Sequence, residues 1–208
     1  MTSADPFGDL LAMPGVQEIC ALRGHIGFMA YHGGSLEEQT DVIAGHAAER
    51  SGASYYAVLQ PADLQWHIPS HTVGRGSSEQ LQAFIDHVDV VITIHGFGRR
   101  DHFTSVLLGG QNRDLADHVA AHLRPRLPEY DIITELERIP KDLRGLHPDN
   151  PVNLPTQQGV QIELPPRIRG SSPIWADWDR STMVPPMVSL IDGLADAAAQ
   201  WATEPTVR

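Results

Sequence analysis

The chain has 208 residues, 41% of them hydrophobic and 20% charged, which suits one domain with a full core and excludes intrinsic disorder. A formal net charge of −11 disfavours nucleic acid as the main ligand, because phosphate binding needs a basic surface. The only lysine, Lys141, is followed by Asp142, which excludes a phosphate-binding loop of the GKS or GKT type, and the only cysteine, Cys20, excludes an intrachain disulfide and a thiolate metal cluster.

The first fifteen residues carry acids in place of a basic leader. No later segment reaches the ~20 apolar residues of a membrane span. A cytoplasmic protein with no membrane partner is therefore expected, with release by lysis as its route outside a cell. The first dozen residues and the last six read as loose ends of a single domain spanning 1–208.

Between those ends, short runs rich in Val, Ile, Tyr and Phe alternate with helical patterns. Strands are expected at 25–30, 53–59, 88–94, 104–109, 130–134 and 159–164. Helices are expected at 37–50, at 77–88, where Ser77 and Gln80 have capping-box spacing, at 113–127 and at 184–201. Leu115, Val119 and Leu123 form one apolar stripe; Val188, Ile191, Leu194 and Ala198 form another. This alternation predicts an α/β fold with a mixed, mainly parallel sheet flanked by helices. Proline and glycine concentrate in 60–76 and 140–159, irregular stretches of the kind that build sites.

Most of the 11 histidines have bland readings. His118 and His122 share a helical face but have no acid between them, and Pro69 interrupts the helical geometry that His67 and His71 would need. His32 and His95 differ, since each follows an apolar strand and precedes a glycine. Sites in open α/β sheets form at the carboxyl ends of strands, so both imidazoles are expected in one crevice. Glu37 lies five residues after His32, beyond a Gly-Gly turn that can fold its carboxylate back. Two imidazoles and a carboxylate are the ligand set of catalytic zinc. In the strand at 159–164, Gln161 and Glu163 share one face; Glu163 is the candidate general base, or else an edge-strand glutamate facing water.

The series His32-Gly-Gly-x-x-Glu37, a strand ending in His95-Gly, and Gly159-Val-Gln-x-Glu163-Leu followed by arginines resembles the poly-γ-glutamate hydrolase family of bacteriophages and bacteria. The resemblance spans residues 25–169. It implies a zinc carboxypeptidase-like fold, zinc on His32, Glu37 and His95, and Glu163 as general base and then acid. Pro165 and Pro166 depart from the family pattern, and the 140–155 loop has no assigned role. Arginine suits a carboxylate, so Arg99, Arg100, Arg113 and Arg167 are candidates to bind an acidic amide or peptide substrate. The implied activity is hydrolysis of γ-glutamyl amide bonds. An amidohydrolase acting on N-acyl amino acids or small peptides, and a non-catalytic metal- or carboxylate-binding module, remain as alternatives.

Overall fold

The computed structural model describes residues 5–175, 178–179 and 181–201. Its strands are β1 (Gln17–Ala21), β2 (Ile26–Gly34), β3 (Ser54–Gln60), β4 (Val90–Gly96), β5 (Ser105–Gly109), β6 (Asp131–Ile133) and β7 (Gly159–Leu164). They form one mixed sheet in the order β1-β3-β2-β4-β7-β5-β6. The inner strands β3, β2, β4 and β7 run parallel, while β1 and the β5–β6 pair join antiparallel.

The helices are α1 (Pro6–Leu11), α2 (Thr40–Ser51), α3 (Glu79–His87), α4 (Arg113–Leu123) and α5 (Pro185–Gln200). Strand alternation divides the core between two sheet faces. Phe28, Ala30, Ile92, Ile94, Val160 and Ile162 pack with the apolar sides of α2, α4 and α5. On the opposite face Met29, Tyr31 and Val91 pack with Phe7 and Leu10 of α1 and with Leu81, Phe84 and Ile85 of α3. Among the described residues, no helix is long and apolar enough to cross a membrane.

Six expected strands and four expected helices occur, with shifted ends. At α3 the cap is Ser78, whose hydroxyl accepts from Leu81 N at 2.9 Å, whereas Ser77 donates its hydroxyl to Asp5 at 2.7 Å. The helix expected from residue 37 begins at Thr40, because residues 35–39 turn before it. Two elements lacked a sequence signal. The segment expected to be a loose N-terminal end contains α1, anchored by buried Phe7 and Leu10 and capped by Asp5. The short, partly exposed strand β1 pairs antiparallel with β3. The last six residues lie outside the described ones.

Candidate active site

The central parallel strands β2, β4 and β7 carry His32, His95 and Glu163 toward their carboxyl ends. Tyr31 and His32 lie within a break in the β2 register between Ala30 and Gly33, where regular alternation stops and both side chains join the site. Gly34 adopts φ 68°, and a Cβ there would lie 2.4 Å from Gln60 O, so this turn requires glycine. The chain then folds back, with Glu37 N donating to His32 O at 2.9 Å, and the Glu37 carboxylate returns between the two imidazoles.

Glu37 Oε1 lies 3.0 Å from His32 Nδ1, and Oε2 lies 3.2 Å from His95 Nδ1. Gly96 N also donates to Oε2 at 2.9 Å. Burial alone would raise the Glu37 pKa, but the two imidazoles outweigh it and hold the carboxyl well below its ordinary range.

The outer edges of the imidazoles settle which nitrogens face the carboxylate. His32 Nε2 is 2.9 Å from Ile68 O, which can only accept, so Nε2 carries the proton. Tyr31 donates its hydroxyl to Asn150 Oδ1 at 3.4 Å, so His95 Nε2, 3.0 Å from that hydroxyl, is the donor to Tyr31. With both outer nitrogens protonated, neutral imidazoles turn Nδ1 lone pairs toward carboxylate oxygens. Acceptors converging in this way need a proton or a cation between them. The ligand atoms of His32, Glu37 and His95 all lie within 4.8 Å of one another, and the set fits a metal ion.

Glu163 and His95 are register partners. β7 is an inner strand, so Glu163 does not face water from an edge; it is only 4% exposed. Burial raises its pKa, offset in part by His95, the Gln161 hydrogen bond and Arg169 and reinforced by Glu37, and the carboxyl is pushed up to about 7. Gln161 Nε2 donates to Glu163 Oε1 at 2.8 Å, and Gln161 Oε1 accepts from Asn150 Nδ2 at 2.9 Å. A directional chain of hydrogen bonds thus runs from His95 through Tyr31, Asn150 and Gln161 to Glu163.

The site opens into a cleft of about 500 Å³. Its walls come from the two proline- and glycine-rich stretches: His67, Pro69, Ser70 and His71 from one, and residues 141–143, 145–147 and 150 from the other. The 140–155 loop therefore walls the cleft, and Asn150 joins it to β7. His67 and His71, without a role in the sequence reading, both line the cleft, and the His67 ring lies 4.8 Å from that of His32. The signal available for them was the irregularity of their segment. His118 and His122 instead bond Ala197 O and His118 O, away from the cleft.

The expected substrate-binding arginines are not gathered together. Arg99 pairs with Asp142, which lines the cleft, whereas Arg100 is exposed and outside the lining. Arg113 is corrected to a structural tie, donating to the carbonyls of Gly110, Leu108 and Thr134 at 3.1, 2.9 and 2.5 Å. Arg167 is placed away from the cleft, paired with Glu129 at 2.6 Å over the Tyr130 ring. Arg169 instead lies buried behind the site: a Cβ on Gly96 would sit 2.7 Å from its Cζ, while Nε and Nη1 donate to Leu164 O and Glu38 O. Gly96 permits that close approach.

A His/Glu/His group that could hold a metal, beside a buried carboxyl on an open sheet, fits a hydrolase of α/β fold. The family comes from sequence comparison. Residues 15–173 match the model described as poly-gamma-glutamate hydrolase, and the chain belongs to that family. Comparison with curated proteins found no match.

Two solved structures share the fold. A bacteriophage poly-gamma-glutamate hydrolase matches with a TM-score of 0.76 and 16% identity, over 92% of this chain and 93% of that one. The zinc-free apo form of YndL matches with a TM-score of 0.73 and 17% identity, over 89% of this chain and 90% of that one.

Proposed function

We propose that this protein is a zinc-dependent hydrolase of γ-glutamyl amide bonds, in poly-γ-glutamate or shorter γ-linked peptides. The observation that carries the reading is the convergence of His32 Nδ1, His95 Nδ1 and the Glu37 carboxylate beside buried Glu163. Family membership supports the γ-glutamyl linkage, and the zinc-free form of a structural relative supports the choice of metal.

Zinc held by His32, Glu37 and His95 would supply a Lewis acid that polarises a carbonyl and makes water nucleophilic near neutral pH. Ile68 O and the Tyr31 hydroxyl hold the outer nitrogens of the imidazoles, so that Nδ1 of each would be the atom offered to the metal. Gln161 holds Glu163 Oε1, leaving Oε2 to take a proton from the attacking water and return it to the departing amide nitrogen. Burial raises the pKa of this carboxyl above the ordinary carboxylate range, which strengthens it as a proton acceptor. Arg169 adds a fixed positive charge behind this centre.

The test compares poly-γ-glutamate, short γ-glutamyl peptides, α-linked polyglutamate and an N-acetyl amino acid at equal concentration with zinc present. Preference for γ-linked material supports the proposal. Faster turnover of the N-acetyl amino acid assigns the site to acyl amino acids, and turnover of none favours a binding module.

A further inference from the structure

We infer that Lys141, with His71 and His147 of the same cleft, forms a carboxylate-binding subsite for a second residue of an acidic γ-linked substrate. The inference rests on the γ-glutamyl reading and assigns a part of the cleft that the catalytic group does not use. Such a polymer repeats a carboxylate at every residue, so the chain beyond the scissile bond needs cationic or hydrogen-bond-donating walls.

Lys141 is the chain's only lysine and is exposed at the cleft. Among the described residues, the other Lys or Arg candidates are absent from the lining: Arg113 and Arg167 are engaged elsewhere, and Arg169 is buried behind it. Asp142 is the nearest acid to Lys141 in sequence, but it pairs with Arg99. That pairing leaves the ammonium available to a ligand.

The imidazoles extend this cationic point into a subsite. His71 and His147 come from opposite irregular walls, and their ring centroids are 4.9 Å apart. Asp149 N donates to His147 Nδ1 at 3.2 Å, so neutral His147 carries its proton on Nε2 and can donate to a carboxylate. Asn153 Nδ2 donates to Gly145 O at 2.7 Å and His147 O at 2.9 Å, fixing the backbone that presents His147. The His147 wall of the subsite is therefore held in place before substrate arrives.

The experiment measures calorimetric binding and steady-state hydrolysis of γ-linked glutamate oligomers and of the same oligomers with their α-carboxyls amidated. Lys141→Ala, Lys141→Arg, Arg99→Ala and Arg99→Ala/Asp142→Asn are compared with wild type, with melting temperatures as fold controls. Lys141→Ala is expected to weaken binding and raise KM for the acidic oligomer about tenfold, the scale of a partly solvated charged hydrogen bond. Lys141→Arg should recover much of that loss. Arg99→Ala should weaken binding by freeing Asp142 to compete, and the double variant should restore it. Wild type should pay a similar penalty on the amidated oligomer, with Lys141→Ala adding little more.

Equal binding of the acidic oligomer by wild type and Lys141→Ala, or an equal Lys141→Ala loss on both oligomers, overturns the subsite. Lys141-dependent binding without turnover keeps the subsite and overturns the hydrolase reading. Turnover of γ-linked material without Lys141 dependence does the reverse, and absence of both binding and turnover overturns both.

Discussion

His95 of β4 and Glu163 of β7 are register partners on neighbouring parallel strands. Their alternation partners, Ile94 and Ile162, are buried on the opposite sheet face. A slip of one residue in β7 would replace Glu163 with an apolar side chain at the site and put the carboxyl among aliphatic groups. Core packing thus fixes the juxtaposition of the candidate base and the metal-accepting group.

Protein purified without a metal-binding tag is expected to contain one zinc per chain and to lose melting temperature on chelation. His32→Ala and His95→Ala should each abolish stoichiometric metal, because two remaining ligands hold zinc poorly. Elemental analysis showing full occupancy in both variants would move the site elsewhere.

Glu163→Gln should retain zinc while losing about 10²-fold or more in kcat. After chelation, the same variant has a second expected signature. Burial raises the Glu163 pKa from 4.5 to about 7, so between those values the folded state keeps a proton that the unfolded state releases, and stability falls as pH rises. Glutamine lacks that titration. The melting temperature of the variant relative to wild type should therefore increase from pH 4 to pH 8; a constant difference would contradict the assigned ionisation. Retained activity would direct attention to Glu38 or Asp101 as the proton carrier.

Tyr31→Phe removes the hydroxyl that receives the His95 Nε2 proton. Zinc affinity is expected to fall about 10- to 100-fold, the usual scale for losing a partner behind a ligand. Competition with a fluorescent chelator would measure it. Gln161→Leu instead removes the amide donor from Glu163, so its main expected effect is a lower kcat with the acidic limb of the pH profile moved upward. An unchanged profile would remove Gln161 from control of the base.

Ser78→Ala should cost about 1 kcal/mol of stability through loss of the α3 cap. Denaturant unfolding would separate this loss from that of Ser77→Ala, whose hydroxyl serves Asp5 and does not cap the helix.

The sequence determined much of the secondary structure because apolar periodicity is local. It also marked His32, Glu37, His95 and Glu163, since a strand followed by His-Gly, or an acid on the polar face of an apolar strand, can be read within a few residues. It could not distinguish a buried inner Glu163 from an edge glutamate, because strand order depends on partners distant in sequence. Nor could it rank the cations. Arg113 and Arg167 lay near promising motifs, yet tertiary packing gave them carbonyls and Glu129, while Arg99 took Asp142 and left Lys141 at the cleft. The links from Tyr31 through Asn150 to Gln161 likewise required tertiary structure: the first joins residues 119 apart, and only the folded 140–155 loop brings an amide between the two strands.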